Sequence, residues 1–583
     1  MADLPILPPD EPDVPDATLY GPMAESAQAG VYRGNDTDLV PRTEDETAEI
    51  PAAPPAPAPV PPAAPPRNAE GGTGTFPVDD PTRLNRFLIL GAEGGSFYTE
   101  ERELTLANAA AVARLIGGGY GPWIVAQVVA VSTAGRAAKQ NPGLFVLAMT
   151  ARLGDLETRR AAYAAVAQCC RIPTHLFTFI GYVEAIGATS GWGRGLRRCV
   201  SEWYNRGDAA RLGHTVTKYR AREGWSHRDA LRLAHVTPAS PAHGLVLRYC
   251  AKGWDAVQDP ELRSDPAAAD AYALLAAVEE ARGAEVPRLL ELIAAHRLAR
   301  EHLPTTALSS VPVWRALLEA PMPMTAMLRN LAKMTAIGLL VPLGDATKMV
   351  CARLRDREAL RKARVHPFSV LLALYTYKSG AGILGSLTWT PVPEIVAALD
   401  KAFHLSFGSV VPSGRRFVVA IDVSGSMGWS GVLGSPCITP RVAAAALALQ
   451  LLRTEPQATP VAFAQGIVPL GIHARMSLAE AISAMEGLPF GCTYCDRPIQ
   501  WAHETGVEAD VFVVITDNET LGNPAKALRE YRSATGIPAR LAVLAMTSGG
   551  FTIADPDDAG MMDMAGFDAS GPEILRQFAA GQL

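Results

Sequence analysis

Cysteine is scarce in this chain, 8 in 583 residues and irregularly placed. That is unlike a disulfide scaffold and reads as a reduced, cytoplasmic protein. No run of about 18 apolar residues occurs, so no membrane-spanning helix is expected. No basic residue precedes Arg33, and a start without a charged n-region does not read as a secretory signal. Several enzyme signatures are missing too: no G-x-x-x-x-G-K-[ST] phosphate loop, no G-x-S-x-G elbow and no H-E-x-x-H. No catalytic residue is assigned, and the chain is not expected to be an enzyme.

What is present is an uneven distribution of charge. Residues 1–80 hold 3 basic and 15 acidic residues, and residues 411–583 hold 11 and 17. The middle, 81–410, keeps 39 basic against 27 acidic, a net of +12 inside a chain whose total is −6. A basic body between acidic ends points to a polyanionic partner for the middle.

The wording changes twice along the chain. Residues 1–75 lack periodicity, and 51–66 (PAAPPAPAPVPPAAPP) is nine Pro, six Ala and one Val. Such a stretch extends as polyproline and cannot close a core, so 1–75 reads as a disordered, acidic, Pro-rich tail. From 76 to 410 short apolar-periodic segments such as WIVAQVVAVS and GLFVLAMTARL alternate with Gly and Pro. Paired short helices over more than 300 residues suggest an α-solenoid of the HEAT type. From 411 to 583 strands (RRFVVAID, TPVAFA, DVFVVITD, RLAVLAMT) alternate with helices, which predicts a separate α/β doubly wound domain around a parallel sheet.

In that last domain the first strand runs into Asp422-Val423-Ser424-Gly425-Ser426. Ligands of open α/β sheets gather outside the carboxyl ends of the strands. A carboxylate and two hydroxyls from one tight loop are hard oxygen donors suited to Mg²⁺ or Mn²⁺. The loop GCTYCD adds Thr493, and ITDNET adds Asp517 at the end of a later strand. The three loops in this order resemble the metal-ion-dependent adhesion site of the von Willebrand factor A domain. The resemblance implies one divalent cation held by Ser424, Ser426 and Thr493, with Asp422 and Asp517 in direct or water-mediated support. Cys492 and Cys495 form a lone C-x-x-C that brackets the metal threonine and reads as adventitious spacing. His296 and His302, six apart in a helical stretch, cannot share a face and are not a metal pair.

Residues 194–232 contain ten Arg and Lys against four acids, with aromatics interleaved. On a helix Arg211, Lys218 and Arg222 would share one stripe, with Leu212, Val216 and Tyr219 forming the buried face. Ser226 and Asp229 read as the capping box of the next helix, with His235 in its last turn. Together with Arg194, Arg198 and Arg220, these groups suit phosphates and unstacked bases. Composition alone leaves a solvated helix surface equally open.

RLNRFLILGAEGGSFY, CRIPTHLFTFI, VTKYRAREGWSHRDALRLAHV, HRLAREHLPT, LLRNLAKMTA and FTIADPDD, in order from about residue 82 to about 580, resemble the Ro autoantigen family with its TROVE module. The resemblance implies a closed ring of HEAT-like repeats joined by the A domain. It also implies binding of Y-RNA-like small non-coding RNA on the outer basic surface and of single-stranded 3′ ends of misfolded RNA in the centre. RNA contacts carry over to Lys218, Arg220 and His235. Bacterial relatives imply a ribonucleoprotein in RNA quality control that works with an exoribonuclease, polynucleotide phosphorylase, through the RNA. The chain departs from relatives at Cys492, usually Gly, and at Asp496, usually smaller. Two other readings compete: a metal-dependent adhesion scaffold for an acidic protein partner, and a metal-dependent phosphoesterase using Asp422, Asp496 and Asp517.

Overall fold

The computed structural model describes residues 76, 78–98, 104–187, 191–320, 322–382, 385–428, 431–433, 435–486, 488, 493–517, 522–547, 553–566 and 569–583. The Pro/Ala-rich tail expected over 1–75 lies outside them. Helices dominate up to residue 409. Many open with Pro in the first turn, as at Pro142, Pro173, Pro241, Pro367 and Pro393. There the missing N–H costs no hydrogen bond and the fixed φ suits the helix. Others open on a capping carboxylate: Asp79 accepts from Thr82 N at 2.8 Å and Asp155 from Thr158 N at 2.8 Å. Neighbouring helices stack in sequence order. Asn141–Leu153 packs on both Leu156–Cys169 and Pro173–Ile186, and Leu156–Cys169 packs in turn on Arg194–Tyr204. This is the helical solenoid that the short, interrupted periodicity predicts.

Strands β1 (Ser96–Tyr98), β2 (Ala221–Arg222), β3 (Trp225–Ser226), β4 (Arg416–Asp422), β5 (Gln457–Phe463), β6 (Ile467–Val468), β7 (Val511–Thr516), β8 (Arg540–Ala545) and β9 (Met561–Ala565) complete the secondary structure. Seven form one sheet in the order β1-β9-β8-β7-β4-β5-β6, parallel except for β6. The four strands that read as apolar runs are its centre. The sequence gives little sign of β9: MMDMA lacks β-branched residues and buries an aspartate. Nor does it announce β1, which comes from the helical half and pairs with β9 through Ser96–Asp563, Phe97–Met564 and Tyr98–Ala565.

Both ends of the helical array grip the α/β domain, and this closes the chain into a ring. At one end, Arg136 donates to Gln577 Oε1 at 3.0 Å and receives from Gln577 Nε2 through its own carbonyl at 2.8 Å. At the other, Arg453 of the α/β domain donates to His404 Nδ1 at 2.6 Å and lies 5.1 Å from the Phe407 ring. One continuous apolar core runs from Leu84 through the array into helices Pro440–Thr454 and Gly571–Ala579, and a second lies on the opposite face of the sheet.

The junction at β1 is polar and buried. Arg532 and Asp558, both fully buried, pair at 2.6 Å. Arg532 also donates to Ala539 O at 2.7 Å, and its guanidinium lies 4.4 Å from the Phe76 ring. Arg86, from the first described helix Asp80–Leu90, donates to the carbonyls of Pro556, Asp558 and Met561 at 3.2–3.4 Å. Gly95, in the left-handed region at φ +74, leaves room for it, since a Cβ there would sit 2.8 Å from the guanidinium.

Two outcomes follow from this junction. Asp558→Ala leaves buried guanidinium charge uncompensated and should cost about 3–5 kcal/mol, seen as a lower urea midpoint; an unchanged midpoint would refute the role given to the pair. Asp563, buried beside β1, has its carboxyl pushed up by that burial, from 3.8 to about 7, despite backbone N–H donors at Ile553 and Ala554. A raised folded value means that the protonated acid is favoured in the fold. Its stability is therefore fully present below pH 3.8 and lost as pH rises towards about 7. Asp563→Asn should flatten thermal stability across pH 4–8, and an unchanged profile would remove Asp563 as its source.

Candidate metal centre and nucleic-acid interface

The chain leaves β4 for β5 on one side and returns to β7 on the other, so the carboxyl end of β4 is a switch point where a crevice forms. Asp422 ends β4 with its side chain buried. Its Oδ1 accepts from Ser424 N at 2.8 Å, and its Oδ2 from Thr516 Oγ1 at 2.9 Å. Thr493 Oγ1 donates to the same carboxylate at 3.3–3.4 Å. Ser424 Oγ and Ser426 Oγ are 3.0 Å apart. All three predicted loops therefore meet, and Thr516 is a fourth hydroxyl that the motif reading missed, although it sits directly before Asp517 in the quoted ITD.

Asp517 is buried, and its Oδ1 has no hydrogen-bond donor among the described residues. Burial raises the Asp422 carboxyl above the ordinary range, and the charge of Asp517 adds to the rise. Two carboxylates, one of them with an orphaned oxygen, and the hydroxyls of Ser424, Ser426 and Thr493 fit a hard divalent cation, which would offset that repulsion. Among the described residues no three His, Cys, Asp or Glu side chains converge as a metal cluster, so the donor set is hydroxyl-rich. Asp496 turns elsewhere: its Oδ2 accepts from Gln500 Nε2 at 3.2 Å and Asn523 N at 3.4 Å. Cys495 is buried, while Cys492 lies outside the described residues.

The basic surface differs from the single stripe expected. The helix Ala209–Lys218 ends at Lys218, so Arg222 does not share it with Arg211. The carbonyl of Tyr219 is taken by His227 Nε2 at 2.9 Å. The chain then forms the hairpin of β2 and β3, whose two-residue turn, Glu223 and Gly224, has φ of 56° and 75°. Two positive φ values suit the right-handed strand twist, and they place Arg222 on an exposed edge. Leu212 and Val216 are buried as predicted, and Tyr219 is half-buried. Lys218 Nζ lies 5.2 Å from the Tyr219 ring, and Arg220 Nε donates to Thr217 O at 3.4 Å.

The capping box of Ser226 and Asp229 is present. His235 is not in the last turn of that helix but one residue beyond it, exposed, at φ 51° and ψ 52°. Arg194, Arg198 and Arg211 are exposed, and Arg198 pairs with Glu202 at 3.2 Å, an exposed pair that binds neither partner strongly. Not every cation of the run faces outward. Arg206 donates to the carbonyls of Ala167, Cys170 and Arg171 and stacks over Trp203 at 4.7 Å. His227 is buried between Tyr204 and Tyr219, and burial pushes its pKa down to about 4. His296 and His302 do not share a helix: Arg297 ends the first helix in the left-handed region, and His302 sits in a separate 3₁₀ turn.

Comparison with known proteins decides the family. The TROVE domain model matches residues 67–380, and the Ro60 vWA domain model matches 416–579. The chain belongs to the Ro family. It is similar to the RNA-binding protein RO60 of Caenorhabditis elegans, 35% identical over 88% of this chain and 90% of that protein. It is also similar to the RNA-binding protein RO60 of Deinococcus radiodurans, 38% identical over 89% and 96%. The crystal structure of the D. radiodurans RO (RSR) protein superposes with a TM-score of 0.79 at 37% identity, covering 87% of this chain and all of the other. This Ro family chain thus has the helical ring and A domain that its motifs imply. Among its described residues no helix is long and apolar enough to cross a membrane.

Proposed function

We propose that this protein binds RNA through the basic helical surface around Lys218, Arg220 and His235 and carries out no catalysis. The observation that carries the reading is the split of the molecule into two chemistries. The helical array presents cations on helix ends and a hairpin edge, while the hydroxyl-rich cleft lies in the A domain. Exposed Arg194, Arg198, Arg211 and Arg222 widen the positive surface to the scale of a nucleic-acid backbone. Y-RNA-like small non-coding RNA and single-stranded 3′ ends of misfolded RNA are the substrates proposed. An exoribonuclease such as polynucleotide phosphorylase is the partner, reached through the bound RNA, in cytoplasmic RNA quality control. The relatives' printed name, RNA-binding protein RO60, supports RNA as the ligand.

The A-domain cleft is proposed to hold one Mg²⁺ or Mn²⁺ through Ser424, Ser426 and Thr493, supported by Asp422 and Asp517. The ion would leave a position open to an acidic group of a partner. A phosphoesterase reading is weaker, because Asp496, its third carboxylate, faces Gly522 and Asn523 instead of the serine loop. Isothermal titration of Mg²⁺ should give one site in the unaltered protein and a loss of about tenfold or more in Ser426→Ala, since one direct oxygen ligand is removed. Equal affinity would take Ser426 out of the site.

For RNA, log affinity should fall linearly with log salt, by about 0.7 per single-strand phosphate contact. Changing Lys218 and Arg220 together to Ala should weaken binding and flatten that slope by roughly one unit. His235→Ser should weaken binding as well, and chelation should leave it intact. Loss of RNA binding on chelation, with no effect of the Lys218/Arg220 change, would reverse the assignment and make the A domain the reader.

A further inference from the structure

The motif HRLAREH, residues 296–302, lies more than sixty residues beyond the basic run, yet the fold brings it against the helix that carries Lys218. His302 is buried; its Nδ1 accepts from Ala299 N at 3.0 Å, which leaves Nε2–H to donate to Thr217 Oγ1 at 3.2 Å. The ring of His302 meets that of His214 edge-on, with centroids 5.0 Å apart. The His214 ring lies against the Arg297 backbone. Burial pushes His302 down to about 3, and nearby His214, Lys218 and Arg220 push in the same direction. Both rings are therefore neutral struts that fix residues 297–302 beside Lys218 and Arg220.

What this docking presents is cationic. Lys218 and Arg300 both lie close enough to Glu301 to act on its carboxylate. Glu279, the next carboxylate towards Tyr249, is taken by Arg282 at 2.8 Å. Arg297 is exposed at φ 50°, ψ 43°, directly after its helix. That position is where glycine is cheapest, and a long side chain there is held under strain. His235, already in the proposed surface, occupies the same left-handed position after its own helix, at φ 51°. Strain kept at an exposed cation is an observation from which function is inferred, because a glycine would serve the backbone better.

We propose that Arg297 and Arg300 form the second wall of the phosphate-binding surface, facing the same RNA backbone as Lys218 and Arg220. This rests on the RNA-binding reading above and adds contacts from a segment outside the basic run. His214 and His302 are positioning residues: they hold the segment and do not touch RNA.

The test uses the full chain and a fluorescently labelled RNA hairpin with a single-stranded 3′ tail. Arg297→Gly removes the cation and relieves the backbone, so the melting temperature should hold or rise while RNA affinity falls roughly threefold to tenfold. The salt slope should drop by about 0.7. Arg297→Lys should restore the slope. If Arg297→Gly binds RNA with unchanged affinity and slope while the Lys218/Arg220 double change weakens binding, the second wall is refuted and the RNA reading stands. If both changes are silent, the RNA reading itself has failed and takes this inference with it. A fall in affinity matched by a fall in melting temperature would make Arg297 structural and overturn the proposal.

Discussion

The closed architecture depends on a buried charge arrangement that a hydrophobic junction would not need. Arg532 and Asp558 are removed from water together, and Arg86 reaches in from the other half of the molecule to the carbonyls around Asp558. Desolvating such groups is costly unless each finds its partners, and here they do. Gly560 N adds a donor to Asp558 Oδ1 at 2.7 Å, and Ala539 O accepts from Arg532. The junction is correspondingly specific. It fixes Phe76, the helix Asp80–Leu90 and β1 to one edge of the sheet, and a slipped pairing would strand guanidinium groups without acceptors.

From this constraint the division of labour follows. The Asp555–Gly560 turn that receives Arg86 precedes β9, at the amino ends of the strands, whereas Asp422, Thr516 and Asp517 lie at their carboxyl ends. The sheet therefore ties the helical array with one edge and keeps its hydroxyl-rich cleft clear of that seam. The basic surface is built from helix ends and a hairpin in the array. Lys218 and His235 sit where helical carbonyls end, which favours positive charge.

The A domain was legible almost strand by strand, because buried parallel strands read as apolar runs and the three loops of the hydroxyl-rich cleft each follow such a run or a helix. Its edges were not. β9 is short and carries Asp563, and β1 is contributed by a segment more than four hundred residues away, a pairing that no local pattern records. The solenoid was legible as a class, through helix length and the Pro and Gly between helices. The stripe through Arg222 failed because periodicity has no means of seeing His227 take the Tyr219 carbonyl, or of seeing Glu223 and Gly224 turn the chain back.

The sequence by itself determined the class of each half, the hydroxyls and carboxylates of the three loops and the excess of positive charge in the middle. Those properties follow from residue type and short-range spacing. Tertiary structure alone decided which cations remain available, because burial and backbone carbonyls withdraw Arg206 and His227 from the surface while leaving Arg220 and His235 at it. It also decided that residues 297–302 stand beside Lys218, since a buried histidine, His302, and a half-buried one, His214, hold together segments far apart in the chain.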